Sequence, residues 1–129
     1  MLRIMLTSVF VDDQEKAHRF YTEVLGFVTK HDLPVGEFKW LTVVSADGPA
    51  GIELLLEPND NPAARTFQEA VYGQGIPATQ FSVDDLDHEY QRLTTRGVVF
   101  KGAPTESDGV ASAVFDDTCG NLVLLVQAP

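Results

Sequence analysis

"LTSVFVDD", Leu6 to Asp13, recurs as "ATQFSVDD", Ala78 to Asp85. Each run is apolar and β-branched enough for a strand, and each ends on the same Val-Asp-Asp triplet, at Val11 and at Val83. A helical stripe follows both. After the first triplet, Ala17, Phe20, Tyr21, Val24 and Leu25 fall on one side of a helix, with Asp12 or Asp13 as cap and Gly26 as stop. After the second, Leu86, Tyr90 and Leu93 make the stripe, Asp84 or Asp85 caps it, and Gly97 ends it.

Working outward, the first strand is expected over Leu2 to Val11, and three more over Phe27 to His31, Lys39 to Ser45 and Gly51 to Glu57. The turns between them are "LPVGE" (Leu33 to Glu37) and "ADGPA" (Ala46 to Ala50). The second copy places strands at Val98 to Lys101, Val110 to Asp116 and Leu122 to Gln127. The fold class is therefore α+β: two tandem βαβββ units, about 1–58 and 76–129, forming a sheet-lined cleft within a single domain of 1–129. The connector, about 59–75, reads as a short packed helix with Asn61 as cap and Pro62 in the first turn. Phe67 on that helix is expected to be buried against a sheet edge or a partner subunit.

Composition excludes several classes of function. The chain has 129 residues, 44% hydrophobic and 22% charged, enough for one core and cramped for two independent domains. A formal net charge of -10 opposes nucleic acid and anionic membrane surfaces. One cysteine permits no internal disulfide, and the absence of CxxC removes the simplest redox and zinc motifs. No apolar run reaches spanning length and "MLRIMLTSVFVDD" lacks a signal peptide's apolar region, so a soluble cytoplasmic protein is expected. No GxSxG, P-loop or dinucleotide glycine pattern occurs.

The duplicated unit, with "FYTEVLGF" (Phe20 to Phe27), "VDDLDHEYQRLTTRGVVF" (Val83 to Phe100) and "FDDTCGNLVLLVQ" (Phe115 to Gln127), resembles the vicinal oxygen chelate superfamily. That group includes glyoxalase I, extradiol dioxygenases, fosfomycin-resistance enzymes and bleomycin-binding proteins. The resemblance implies a metal held by His or Glu from the first and last strands of each unit, polarising neighbouring substrate oxygens. Carried over position by position, those ligands fall on Leu6, Glu53, Ala78 and Leu124. Only Glu53 can bind a metal, and one carboxylate is too few. No metal is therefore expected; the alternative is a divalent ion (Zn, Ni, Mn or Fe) held by residues outside those positions, such as Glu53, Glu57 and His31. The resemblance also implies a homodimer, by analogy alone.

Strand alternation extends the cleft from those four positions to Ser8, Phe10, Leu55, Glu57, Gln80, Ser82, Leu122 and Val126. Their alternates Val9, Ile52, Leu54, Leu56, Phe81, Val83, Val123 and Leu125 are left to pack under the helices. The cleft so formed is mostly apolar with a few polar groups, which suits a small organic molecule. Within it Glu53 is the candidate catalytic residue, its pKa raised by desolvation, with Ser8 and Gln80 ready to bond a substrate oxygen. Set against this is a solvated Glu53 at the rim.

His18 and His88 read as surface residues, and His31 as one that follows the second strand towards the cleft mouth. "HEYQR" lacks the second histidine of a zinc HExxH. Cys119 reads as a turn residue, since Asp116 and Asp117 would raise its thiol pKa. Trp40 and Phe38 fit either the core or a planar ligand. Three functions stay open: binding of a small, partly apolar organic molecule without a metal; a glyoxalase-like metal-dependent lyase, isomerase or dioxygenase; and metal-free acid–base catalysis by Glu53.

Overall fold

The structure, a computed structural model, describes residues 1–49 and 51–129. Ala50, the last residue of the expected Ala46 to Ala50 turn, lies outside the described residues. The chain divides into two compact units, Met1–Arg65 and Thr66–Pro129.

In the first unit the order is β1 (Leu6–Val11), α1 (Gln14–Arg19), β2 (Val28–Val35), β3 (Phe38–Val44) and β4 (Glu53–Pro58). The sheet order is β1-β4-β3-β2. β1 runs parallel to β4 with Leu6 opposite Glu53, and the other pairs are antiparallel. Asp13 is the cap of α1, its Oδ1 accepting the Lys16 N–H at 3.1 Å. Beyond Arg19 the helix widens into a π turn over Phe20–Val24, closed by the Leu25 N–H on the Phe20 carbonyl at 3.0 Å. Gly26 then turns the chain at φ 94, a left-handed value that side chains resist. Ala17 and Tyr21 of this helical segment are fully buried, with Val9, Val11, Leu41, Val43, Leu54 and Leu56 on the sheet beneath.

The strands differ from the sequence reading at their ends, for reasons of pairing. Leu2 to Met5 stay exposed: the register of β1 with β4 begins at Leu6, with the Met5 carbonyl accepting the Glu53 N–H at 2.9 Å just ahead of it. Ile52 is likewise 45% exposed rather than packed under the helix. β2 continues through Leu33–Val35, where a turn was expected. It is the edge strand, and an edge tolerates Pro34, whose nitrogen has no hydrogen to donate.

The second unit repeats the plan. α2 (Pro62–Gly73) leads into β5 (Thr79–Ser82), α3 (Leu86–Thr95), β6 (Thr105–Ser107), β7 (Val110–Asp116) and β8 (Leu122–Gln127). The sheet order is β5-β8-β7-β6, again with a parallel first pair, Gln80 opposite Leu124. Asp85 caps α3, accepting the His88 N–H at 3.1 Å. Leu86, Leu93, Ala113, Phe115, Val123 and Leu125 form its core. The segment expected as a strand at Val98 to Lys101 makes a single bridge, Phe100 to Phe115; the edge strand proper comes after Pro104. Asn61 caps α2 as expected, accepting the Ala63 N–H at 2.9 Å. Phe67, however, is 63% exposed: Ala64 and Gln68 are the buried side of that helix.

The Asp117–Asn121 turn is locked by buried polar groups. Asp117 Oδ1 accepts the Cys119 and Asn121 N–H groups at 2.7 and 3.0 Å, and its Oδ2 accepts the Asn121 side-chain amide at 2.8 Å. Gln68 Nε2 donates to the Asn121 side-chain oxygen at 3.1 Å and to the Cys119 carbonyl at 3.2 Å. Gly120, at φ 99, lies where a Cβ would stand 2.6 Å from Gln68 Nε2. Cys119 is fully buried within this turn. Truncating Asp117 would leave buried donors without an acceptor, at about 1–3 kcal/mol each. Asp117→Ala is expected to destabilise the protein by about 3 kcal/mol, read as a lower urea midpoint; an unchanged midpoint would refute this role for the turn.

Candidate functional site

The face of the first sheet opposite α1 carries Leu6, Ser8 and Phe10 from β1, Trp40 and Thr42 from β3, and Glu53, Leu55 and Glu57 from β4. The register puts Glu53 beside Leu6, and Leu55 between Ser8 and Thr42. At the centre Thr42, Glu53 and Leu55 are buried, whereas Leu6 and Trp40 are 37% and 39% exposed.

Glu53 is the one charged residue among the buried polar groups of this face. Its Oε1 accepts the Thr42 hydroxyl at 2.8 Å. Lys30 Nζ stands 3.4 Å from Oε2, and His31 Nε2 stands 3.6 Å from Oε1. Two consecutive residues of a regular strand point to opposite faces. Lys30 and His31 both reach Glu53 because β2 bulges between them: Thr29 pairs with Val43 and His31 with Thr42, which leaves Lys30 as the extra residue.

This environment reverses the expected direction of the Glu53 pKa. The Thr42 hydrogen bond holds the carboxyl below the ordinary value of 4.5; burial pushes the other way, and Lys30 and then His31 add to the lowering. Desolvation is present, as expected from the sequence, but it is outweighed by hydrogen bonding and opposite charge. A carboxylate so held is ionised near neutral pH and has no proton to deliver as a general acid.

The donor set for a metal is correspondingly short. Glu53 and His31 meet, but an ammonium shares the site, and Glu57 is not part of the cluster. Among the described residues no group of three or more His, Cys, Asp and Glu side chains could hold an ion. Divalent ions take three or four protein ligands or more, so the residues present do not fit one.

In the second unit, Gln80 and Leu124 lie side by side. Ala78 sits just ahead of β5, its N–H on the Leu122 carbonyl at 2.8 Å. Gln80 and Ser82 are exposed, Leu124 and Val126 half-buried, and Leu122 buried. The alternates Val123 and Leu125 are buried, and Phe81 and Val83 half-buried. An open depression of about 400 Å³ on this unit, lined by Tyr72, Val99, Asp116, Thr118 and Gly120, contains none of the expected ligand-contacting residues. Tyr72 donates its hydroxyl to Asp116, and that carboxylate pushes the phenol pKa up. His18 Nε2 lies 2.7 Å from the Thr29 hydroxyl, an exposed contact on the first unit.

Sequence reasoning found Glu53 and set His31 near the site, but missed Lys30 and Thr42. Thr42 left a trace, the polar member of "WLTVV" (Trp40 to Val44). Lys30 left none, because its direction depends on the bulge.

A family model, Glyoxalase/Bleomycin resistance protein/Dioxygenase superfamily, matches residues 3–125. The Bacillus subtilis (strain 168) protein YurT is 52% identical over 126 residues, covering 98% of this chain and 99% of its own. The crystal structure of UcmS2 superposes with a TM-score of 0.85 at 31% identity, covering 98% of each chain. TnmS3, an antibiotic binding protein from Streptomyces sp. CB03234, gives a TM-score of 0.79 at 31% identity, covering 100% of this chain and 98% of its own.

The lowered Glu53 pKa has a consequence for stability. A carboxyl whose folded pKa lies below its unfolded value contributes stability above the unfolded value, and the contribution is lost as pH falls through the folded one. The wild type should therefore lose this contribution as pH falls below 4.5. In Glu53→Gln that part of the acid dependence should be absent, as read from urea midpoints between about pH 3 and pH 7. Identical acid slopes in both proteins would contradict the assignment.

Proposed function

Since the chain belongs to the glyoxalase/bleomycin resistance protein/dioxygenase superfamily, we propose that it binds a small, partly apolar organic molecule against the Glu53 face of its first sheet, without a resident metal. The observation that carries this reading is the composition of that face. A buried polar centre, Thr42 and Glu53, lies next to the half-exposed surfaces of Leu6, Phe10 and Trp40. Apolar surface gives a ligand its affinity, and a few fixed polar groups give it orientation. Likeness to an antibiotic-binding protein, TnmS3, supports the same class of ligand.

Glu53 takes a supporting part in this reading. Its carboxylate already accepts from Thr42 and faces the Lys30 ammonium and the His31 imidazole. It orients those groups rather than transferring protons. The protein works as a homodimer, the state that the family resemblance implies. The exposed Phe67 on α2 offers apolar surface for pairing. No helix among the described residues is long and apolar enough to cross a membrane.

Trp40 is the chain's one tryptophan and stands on the proposed face, so its fluorescence reports binding directly. Screening small aromatic compounds should give saturable fluorescence changes and upward thermal shifts, with the compound recovered unchanged. Dialysis against a chelator should leave the affinity as it was. Trp40→Leu should weaken binding by roughly ten-fold through lost contact area. Binding that disappears with the chelator and returns with added zinc, nickel, manganese or iron would instead establish the metal-dependent lyase or dioxygenase reading.

A further inference from the structure

The bulge in β2 does more than bring two residues to Glu53. It sets them above the carboxylate, between it and the solvent. The Lys30 and His31 side chains are 38% and 41% exposed, and that of Glu53 is 7% exposed. A molecule approaching this face therefore meets an ammonium and an imidazole first and the anion only beneath them. Thr42, fully buried on the neighbouring strand, fixes the carboxylate from below. Trp40 lies two residues from Thr42 on the same face of β3, about 7 Å along the strand.

From this arrangement we infer that Lys30 and His31 are the ligand-selecting pair of the site, and that the molecule they take is an aromatic oxyanion, a carboxylate or phenolate on a planar apolar body. The inference rests on the binding function proposed above and specifies the ligand's chemistry. A cationic ligand would be opposed by the Lys30 ammonium. A neutral apolar ligand would use Trp40 and Leu6 but leave the two donors over Glu53 with nothing to recognise. An oxyanion receives charge-assisted hydrogen bonds from both, the stronger kind of hydrogen bond, while its ring lies on the Trp40 side. The chain's net charge of -10 makes a local pair of donors necessary, because the field of the whole protein repels anions. Glu53 is then a positioning residue: it holds Lys30 and His31 at the surface without touching the ligand.

The test compares three probes of one shape on the full-length protein by calorimetry at neutral pH: 2-naphthoate, the neutral 2-naphthamide and the cationic 2-naphthylmethylamine. The wild type is expected to bind the naphthoate about ten-fold more tightly than the amide, with the amine weakest. Lys30→Met retains the apolar stem and should abolish the preference for naphthoate over amide. His31→Asn should reduce the preference in part, and it serves as a second variant if Lys30→Met unfolds. Equal binding of naphthoate and amide by the wild type would overturn the oxyanion inference and leave the apolar-binding reading standing. A naphthoate preference that survives both substitutions would also overturn it, placing the recognising groups elsewhere. Absence of saturable binding by all three probes would refute the inference together with the reading on which it rests.

Discussion

Each unit depends on a parallel pair between its first and last strands, β1 with β4 and β5 with β8. Parallel neighbours cannot be joined by a hairpin, so a helix and two further strands must lie between them in the chain. Register is the critical quantity in such a pair. With Leu6 opposite Glu53, the side chains Val9, Val11, Leu54 and Leu56 face α1 and are buried. A slip of one residue in β4 would turn Glu53 under the helix, into a core with no partner for its charge, and turn Leu54 out. The packing of α1 and the place of Glu53 therefore follow from one alignment of two strands.

The faces of these strands, though not their parallel pairing, were legible in the sequence. The repeated strand and Val-Asp-Asp triplet announce the duplication, and period-two alternation gives the buried side through Val9, Leu54, Leu56, Val123 and Leu125, all buried in the structure. Asp13 and Asp85 prove to be the caps, each chosen from an adjacent pair of aspartates by the geometry of the first turn. Features set by neighbouring strands were less legible. β2 runs on through Pro34 because it is an edge, and Leu2 to Ile4 are left out because the pairing of β1 with β4 reaches back only to the Met5 carbonyl, which accepts the Glu53 N–H. Hydropathy along the chain contains neither fact. Phe67 illustrates the same gap: its place on the stripe suggested burial, yet the short polar reach of Gln68 to the Cys119 and Asn121 turn fixes which side of α2 faces inward.

The reversal at Glu53 has the same origin. Sequence supplies one carboxylate in apolar company, which reads as either desolvated in a cleft or solvated at its rim, and desolvation raises a pKa. The opposing groups come from elsewhere in the sheet. Thr42 arrives by antiparallel pairing of β3 with β4, and Lys30 by an extra residue in β2 whose presence changes the direction of one side chain. An unpaired charge at this depth would be costly; a charge with a hydroxyl, an ammonium and an imidazole around it is compensated.

The two units use a buried carboxylate in different ways, and the difference separates scaffold from chemistry. Asp117 is bound by backbone N–H groups of its own turn and by the amide of Asn121, so its partners move only if the backbone moves. Glu53 is bound by three side chains, two of which reach solvent. Lys30 and His31 can change rotamer without disturbing a strand, whereas nothing comparable is possible around Asp117. At the last-strand position matching Glu53, the second unit has Leu124, an uncharged residue that could hold no such pair in place. The duplicated fold thus has one architecture in both copies, and the first carries a buried carboxylate whose side-chain partners, Lys30 and His31, reach solvent.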